Sequence, residues 1–303
     1  MPLRALPGLA AALLALSTAA GAHPASDTAD AWAWSFEPWV VGCLLLSAGL
    51  YVRGLWRLWT HAGYARGIGT WQAASFALGW TALAASLVSP LDTIGGELFS
   101  VHMLQHEVLM LIAAPLMVIG RPLATWTWAL PFAWRQRAGS AAAMPPLAVA
   151  WRLLTAPLVA WACHALALWV WHAPVLFEAA LRSPAVHALQ HASFLFSALL
   201  FWWALLGTPR SVAAPGATAY LFTTMIHTGA LGALMTVATR PWYPSYAAHV
   251  AAWGLSPLED QQLGGLIMWI PAGAIYAAAG LMLIARWLAG DRRSARAVGQ
   301  AAT

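Results

Sequence analysis

Apolar residues in this chain run in long blocks separated by short polar or proline-rich connections. About 20 helical residues cross the hydrocarbon core of a bilayer, which is roughly 30 Å thick. A backbone in lipid must satisfy its own hydrogen bonds, so each block should be a helix. The pattern predicts an all-α, polytopic membrane helix bundle with seven transmembrane helices, near residues 38–58, 70–89, 98–119, 152–171, 186–207, 218–238 and 262–286.

The composition supports a membrane protein and excludes several other classes. Of the 303 residues, 61% are hydrophobic and 8% are charged, whereas a soluble domain is about 45–50% apolar and about 25% charged. So few charges cannot cover a soluble globule. The two cysteines, Cys43 and Cys163, lie in apolar runs and form no C-x-x-C, so neither a disulfide framework nor a zinc ribbon is expected.

The first 22 residues have the pattern of a secretory signal. Arg4 is followed by an apolar stretch over residues 5–19 and by the cleavage-site pattern Ala20-Gly21-Ala22. An uncleaved first anchor is the alternative. The chain then divides into a signal peptide, a periplasmic N-terminal segment, a seven-span membrane domain and a cytoplasmic tail, over residues 1–22, 23–37, 38–286 and 287–303. We expect the tail to be disordered and attracted to anionic lipid rather than to nucleic acid.

Arginine is distributed unequally between the two ends of the predicted bundle. The chain has no lysine, and arginine favours the cytoplasmic side of a membrane. One end carries Arg182 and Arg240 together with most of the acidic residues. The other end carries Arg53, Arg57, Arg66, Arg121, Arg135, Arg137, Arg152, Arg210, Arg286, Arg292, Arg293 and Arg296. We therefore expect a multi-pass protein of the bacterial inner membrane with a periplasmic N-terminus and a cytoplasmic C-terminus.

Two predicted spans begin with the same five-residue motif. The segments 102–106 and 187–191 both read H-x-L-Q-H, lie 85 residues apart and are preceded by a proline 12 or 13 residues earlier. Residues i and i+4 share one helix face, so each pair can present two imidazoles to one point. Neutral imidazole is the commonest protein ligand for metals. The motifs predict a metal site where the two helices begin, within a weak internal repeat.

Other candidate ligands lie near these pairs. His172 ends the fourth span at the same depth, whereas His164 lies about 12 Å deeper and His227 lies in the middle of the sixth span; for the last two, packing or a hydrogen bond is the alternative. Met103 shares the arc of His106, and a thioether with imidazole suits copper, particularly Cu(I). The candidate metal ligands are His102, His106, His172, His187, His191, Met103, Asp260, His164 and His227.

Three classes of function remain open from these residues. The first is a copper-handling protein. The second is a membrane electron carrier with haem b, which needs only two facing histidines. The third is a scaffold whose histidines pack without metal. A c-type haem would require C-x-x-C-H and a membrane desaturase H-x-x-H-H, and the sequence contains neither. The sequence also lacks a phosphate-cradling loop and a Ser-His-Asp signature, so no enzyme activity is expected.

Three segments of the chain combine these candidate ligands with other motifs. They are His102-Met-Leu-Gln-His106 through Ala114-Pro115-Leu116 to Gly120-Arg121-Pro122; His172-Ala-Pro174 through Leu176-Phe-Glu-Ala-Ala-Leu181 to His187-Ala-Leu-Gln-His191; and Ser256-Pro-Leu-Glu-Asp-Gln-Gln-Leu-Gly-Gly265 with Met268-Trp269, which follows Asp260. In this order the three segments resemble the CtaG-type, polytopic cytochrome c oxidase assembly factors. The resemblance covers about residues 38–286. It departs at Phe177, where the family pattern has tyrosine.

The resemblance implies an assembly role, in which copper is delivered to a haem-copper oxidase subunit in the same membrane. Carried over to this sequence, its candidates are His102, His106, His172, His187 and His191, with Asp260 at the rim. We expect Cu(I) from a periplasmic donor to bind in a polar, partly solvent-accessible cavity and to leave by ligand exchange. A haem b electron carrier and an assembly scaffold without metal are the alternatives.

Overall fold

The computed structural model describes residues 30–207 and 214–301, and every regular element in these two ranges is helical. The all-α prediction is confirmed. The proposed signal peptide and most of the N-terminal segment lie outside the described residues. We number the α-helices α1 (Pro38–Ala62), α2 (Thr70–Val88), α3 (Pro90–Gly95), α4 (Phe99–Glu107), α5 (Ala114–Ile119), α6 (Pro122–Ala129), α7 (Phe132–Ala142), α8 (Pro145–Leu154), α9 (Pro157–Trp171), α10 (Pro174–Arg182), α11 (Pro184–Leu206), α12 (Ala214–Thr236) and α13 (Pro257–Ala301).

Each span predicted from the sequence falls on helical structure, but the helices differ in how well they suit a membrane. By length and hydropathy, four segments of the described chain can each cross a bilayer, namely Pro38–Ala62, Phe99–Ile119, Pro184–Leu206 and Pro257–Ala285. A fifth span results if α8 and α9, bent by 63°, cross together. These apolar helices fit a membrane protein.

Proline marks where many of the helices begin. It is the first residue of α1, α3, α6, α8, α9, α10, α11 and α13. The first N–H groups of a helix have no intrahelical partner, and proline lacks this N–H and has a helical φ, so it fits the first position well. The prolines therefore set the boundaries of the short helices that separate the long ones.

The long helices surround a core of aliphatic and aromatic side chains. Phe194 and Phe201 of α11 are fully buried, and Tyr51 of α1 stacks on Phe76 of α2 with ring centroids 3.6 Å apart. Helices α12 and α13 approach closely at two glycines: a Cβ on Gly265 would lie 2.6 Å from the carbonyl oxygen of Gly232. Small residues allow such close backbone packing between apolar helices.

The third predicted span is interrupted by a π-helical segment. Helix α4 continues as a π-helix over Val108–Ala113 before α5 begins at Ala114. Pro115 lacks an N–H and its ring crowds the preceding turn, which favours a wider turn just upstream. The Met110 carbonyl oxygen in this segment accepts a hydrogen bond of 2.9 Å from Trp202 Nε1 of α11. A side chain of the neighbouring helix thus supplies a hydrogen-bond donor to a carbonyl group of the π-helical segment.

The two H-x-L-Q-H motifs occupy matching positions in the fold. A short helix that begins with proline precedes each motif-bearing helix: α3 precedes α4, and α10 precedes α11. Each short helix packs on the long helix that follows it. The arrangement accords with the internal repeat inferred from the sequence.

The connection from residue 120 to residue 151 and the C-terminal tail are both helical. The connection contains α6, α7 and most of α8, and Arg135 lies over the Trp128 ring at 4.0 Å from its centroid. The tail was expected to be disordered, but α13 continues to Ala301. This expectation was wrong: the tail is rich in alanine and arginine, which have high helix propensity.

Candidate metal centre

Four imidazole rings from α4 and α11 meet at the end of the bundle where these two helices begin. The His102 centroid lies 4.4 Å from that of His106 and 5.3 Å from that of His187. The His191 centroid lies 5.1 Å from His106 and 4.1 Å from His187. The i, i+4 spacing places two rings on each helix face, and the packing of the two faces brings all four rings together. We call these residues, with His172, the histidine cluster.

Five of the ten ring nitrogens in the cluster are buried and make no hydrogen bond with any described residue. They include both nitrogens of His106 and the Nε2 atoms of His102, His187 and His191. His102 Nδ1 lies 3.3 Å from the carbonyl oxygen of Gly95. A carbonyl can only accept, so Nδ1 carries the proton and Nε2 of the neutral ring carries the lone pair. Buried polar atoms normally have partners, so this group of unpaired nitrogens is a candidate site for a metal ion.

His172, the fifth histidine of the cluster, lies beside a second kind of donor, the thioether of Met103. The His172 ring lies 6.3 Å from that of His106, and its Nδ1 lies 2.7 Å from the Leu168 carbonyl oxygen. By the same reasoning, Nε2 of neutral His172 has a free lone pair, and it lies 3.4 Å from Met103 Sδ. Two lone-pair donors face each other here. Imidazole nitrogen and thioether sulfur together suit Cu(I).

Tyr243 and aromatic side chains hold His172 in place. The Tyr243 hydroxyl donates a 2.9 Å hydrogen bond to the His172 carbonyl oxygen. Burial, together with the nearby Glu178 carboxylate, raises the pKa of this hydroxyl, which therefore remains a donor. Phe177, at the position where the family pattern has tyrosine, packs 4.2 Å from the Tyr243 ring. A hydroxyl is thus present beside Phe177, although a different residue supplies it.

Asp92 lies beside His187 and His191, although it is not among the ligands predicted from the sequence. One ligand atom from each of Asp92, His187 and His191 can lie within 4.8 Å of the others, as can one from each of His102, His106 and His191. Asp92 lies on α3, and Gln105 Nε2 donates to its Oδ1 at 2.8 Å. The sequence feature that could have identified it is the position of Asp92, an acidic residue two positions after Pro90, the proline that precedes the first H-x-L-Q-H motif.

Asp260 is close to the cluster in the fold but contacts other groups. Its Oδ2 and Oδ1 accept hydrogen bonds of 2.7 and 3.0 Å from the backbone N–H groups of Phe99 and Ser100. These are the first residues of α4, whose N–H groups need an acceptor. Asp260 on α13 therefore caps α4, and the structure gives no contact between its carboxylate and the histidines.

His164 and His227 form a separate group deeper in the bundle. His164 Nδ1 lies 3.1 Å from Ser197 Oγ, which itself donates to the Phe194 carbonyl oxygen. The His227 ring packs edge-on against Trp161 with centroids 5.4 Å apart, and both its nitrogens are buried without a partner among the described residues. The structure does not bring these two histidines into the cluster.

The expected polar cavity is a packed cluster in the structure. His102 and His106 are each 1% exposed, whereas Asp92 and His187 are half-buried. Phe177 and Phe194 cover the rings of His102 and His106, at 5.2 and 4.6 Å between centroids. The exposure of the side chains therefore decreases from the half-buried Asp92 and His187 to the almost completely buried His102 and His106.

Comparison with known proteins gives one family match and several relatives. The family described as cytochrome c oxidase caa3 assembly factor (Caa3_CtaG) matches residues 49–290. Uncharacterized proteins of Mycobacterium bovis and Mycobacterium tuberculosis are each 28% identical over 240 residues, which is 72% of this chain and 35% of theirs. An uncharacterized protein of Mycobacterium leprae is 26% identical over 276 residues, which is 86% of this chain and 40% of that one. The chain thus spans well under half the length of these relatives. No solved structure gives a significant match.

Proposed function

Because the chain belongs to the cytochrome c oxidase caa3 assembly factor family, we propose that it handles copper for a haem-copper oxidase of the same membrane. In this proposal the histidine cluster binds Cu(I) received from a periplasmic donor and passes it to an oxidase subunit by ligand exchange. Copper is the cargo, and the protein acts as a metallochaperone without catalysing a reaction.

The observation that carries this proposal is the group of unpaired imidazole nitrogens. Four rings from two helices pack with neighbouring ring centroids 4.1 to 5.7 Å apart, and each ring has at least one buried nitrogen without a hydrogen-bond partner among the described residues. Buried polar groups without partners cost free energy, and a soft metal ion would satisfy several of these nitrogens at once. The nearby thioether of Met103 favours copper among the metals that imidazole binds.

The same geometry favours copper over haem b. A haem iron held by two histidines has the porphyrin plane between the two rings. The rings of the cluster contact each other directly, so a planar macrocycle has no space between them. The assembly scaffold without metal is the remaining alternative, since it would use the same histidines for packing.

We further propose the membrane arrangement that this function requires. Seven helices cross the bacterial inner membrane after an N-terminal signal segment, and the histidine cluster faces the periplasm. The arginine-rich connections then lie in the cytoplasm, in agreement with the positive-inside rule, and α6 to α8 contact the lipid headgroups there.

Metal analysis of the purified protein tests the proposal. The full chain is solubilised in detergent under reductant, and its visible spectrum and metal content are recorded before and after loading with Cu(I). We expect near-stoichiometric copper and no Soret band. The double variant His106→Ala/His191→Ala should lose the copper, whereas the control His61→Ala/His249→Ala removes two imidazoles outside the cluster and should retain it.

Each other outcome selects a different function. Iron with a Soret band would make the protein a haem carrier. No metal in the wild-type protein, together with recovery of oxidase subunits on affinity purification, would support the scaffold. Wild-type copper content in the double variant would contradict the proposed site.

A further inference from the structure

The two groups of metal-binding atoms in the cluster share one residue. His191 belongs both to the group with Asp92 and His187 and to the group with His102 and His106. We infer that copper occupies two successive positions joined by His191: an entrance position formed by Asp92, His187 and His191, and a buried position formed by His102, His106 and His191. This inference rests on the proposed function.

Burial gives the order in which the ion meets the two positions. Asp92 and His187 are half-buried, and His102 and His106 are almost completely buried. An ion arriving from solvent therefore reaches the entrance position first. His191 is 8% exposed and lies beside both positions. It can stay bound while the other ligands exchange, so the ion need not become uncoordinated on the way in.

The donors change in character along the same path. The entrance position combines a carboxylate oxygen with imidazole, and its negative charge attracts cations from solution. The buried position is composed of imidazoles, and the facing pair of His172 Nε2 and Met103 Sδ lies beside His106. Cu(I) prefers nitrogen and sulfur donors to carboxylate oxygen. The ion remains Cu(I) throughout. Its preference for nitrogen and sulfur donors favours the buried position over the entrance position.

Gln105, a residue of the first H-x-L-Q-H motif, orients the Asp92 carboxylate of the entrance position. Gln105 Nε2 donates to Asp92 Oδ1 at 2.8 Å and to the Ser86 carbonyl oxygen at 2.6 Å. Gln105 lies between His102 and His106 on α4. One turn of α4 thus supplies two ligands of the buried position, His102 and His106, and also the residue that orients Asp92 of the entrance position. The hydrogen bond from Gln105 uses Oδ1 of Asp92, so Oδ2 is the oxygen that can bind the ion.

Loading kinetics separate a path with two positions from a single site. The coloured Cu(I) complex of bathocuproine disulfonate is mixed with the detergent-solubilised full chain, and copper transfer is followed by the loss of absorbance. We expect Asp92→Asn, which can still accept from Gln105, to load about tenfold more slowly because the steering charge is lost. Its final copper content should equal that of the wild-type protein. His187→Gln is a second variant of the entrance position and should behave in the same way.

Glu97→Gln is the matched control, since it removes a carboxylate from the same end of the bundle. Glu97 Oε2 accepts a hydrogen bond from Trp253 Nε1, and Glu97 belongs to neither group of metal-binding residues. This variant should therefore take up copper at the wild-type rate. Equal loss of rate and final content in Asp92→Asn would indicate one site that includes Asp92 and would overturn the inference. A wild-type rate in Asp92→Asn and His187→Gln would also overturn it, while copper binding by the wild-type protein would leave the proposed function standing. A wild-type protein that takes up no copper would overturn both.

Discussion

At the scale of single residues, the candidate centre depends on which atoms lack a hydrogen-bond partner. The sequence predicted the four motif histidines from their spacing, and the structure brings their rings together. It could not predict the tautomers, which depend on carbonyl oxygens of Gly95 and Leu168 in other turns. Asp92 was missed for a similar reason, since its distance from His187 depends on how two helices pack.

Met103 provides a test at this scale. Met103→Leu keeps the volume of a fully buried side chain, so the fold should persist. The loss of the thioether beside His172 should weaken Cu(I) binding about tenfold, in the range found when groups around a metal are removed. Competition with a Cu(I) chelator measures the affinity.

Met110→Leu is the control for this prediction. Met110 is also buried and follows Met103 in the same predicted span, but the two side chains belong to different apolar clusters, and it is the sulfur of Met103 that faces His172. Equal Cu(I) affinities in the two variants would show that Met103 only packs.

At the scale of helices, two adjacent carboxylates show how α13 organises the bundle. Glu259 accepts from the Ser256 N–H at 2.8 Å, and the Glu259 N–H donates to Ser256 Oγ, which forms a capping box at the start of α13. Asp260, the next residue, caps α4 instead. The sequence indicated an acidic residue at the mouth of the seventh span. It could not show the pairing of α13 with α4, because that pairing joins residues 161 positions apart.

Asp260→Ala should therefore destabilise the protein more than it affects copper. It leaves two buried N–H groups without an acceptor, which costs about 1–3 kcal/mol for each such group. Thermal unfolding in detergent should show a lower midpoint, and copper content measured well below that midpoint should be unchanged. Glu259→Ala, at an exposed cap, should lower the midpoint less. Loss of copper from Asp260→Ala at an unchanged midpoint would instead identify Asp260 as a ligand.

At the scale of the whole molecule, the sequence predicted the all-α class and the positions of the long helices. Hydrophobic blocks and helix-starting prolines determine both. The number of spans is harder to read from hydropathy, because polar residues lie within some of the helices. In α12 the hydroxyls of Thr223, Thr224, Thr228 and Thr236 bond to the helix's own carbonyls one turn back, which reduces the cost of placing them in lipid.

Topology is the prediction that belongs to this scale. Single cysteines introduced as Ser140→Cys on α7 and Ala247→Cys, in a chain with Cys43→Ser and Cys163→Ser, mark the two ends of the bundle. A membrane-impermeant maleimide should label position 247 in intact spheroplasts and position 140 only after lysis, since the proposed arrangement, based on the positive-inside rule, has α7 in the cytoplasm. The reverse labelling pattern would place the histidine cluster on the cytoplasmic side.

The π-helical segment sets the rotational phase between the two halves of one membrane helix. Successive residues of an α-helix are about 100° apart around its axis. The wide π-helical turn at Val108–Ala113 contains one residue more than a regular α-helical turn. With one residue fewer, α4 and α5 would form an uninterrupted helix. His102 and His106 would then face away from α11 by about 100° whenever Met117 and Val118 kept their places in the core. His102 and His106 therefore face the histidines of α11 because the π-helical segment that follows them rotates α4 relative to α5.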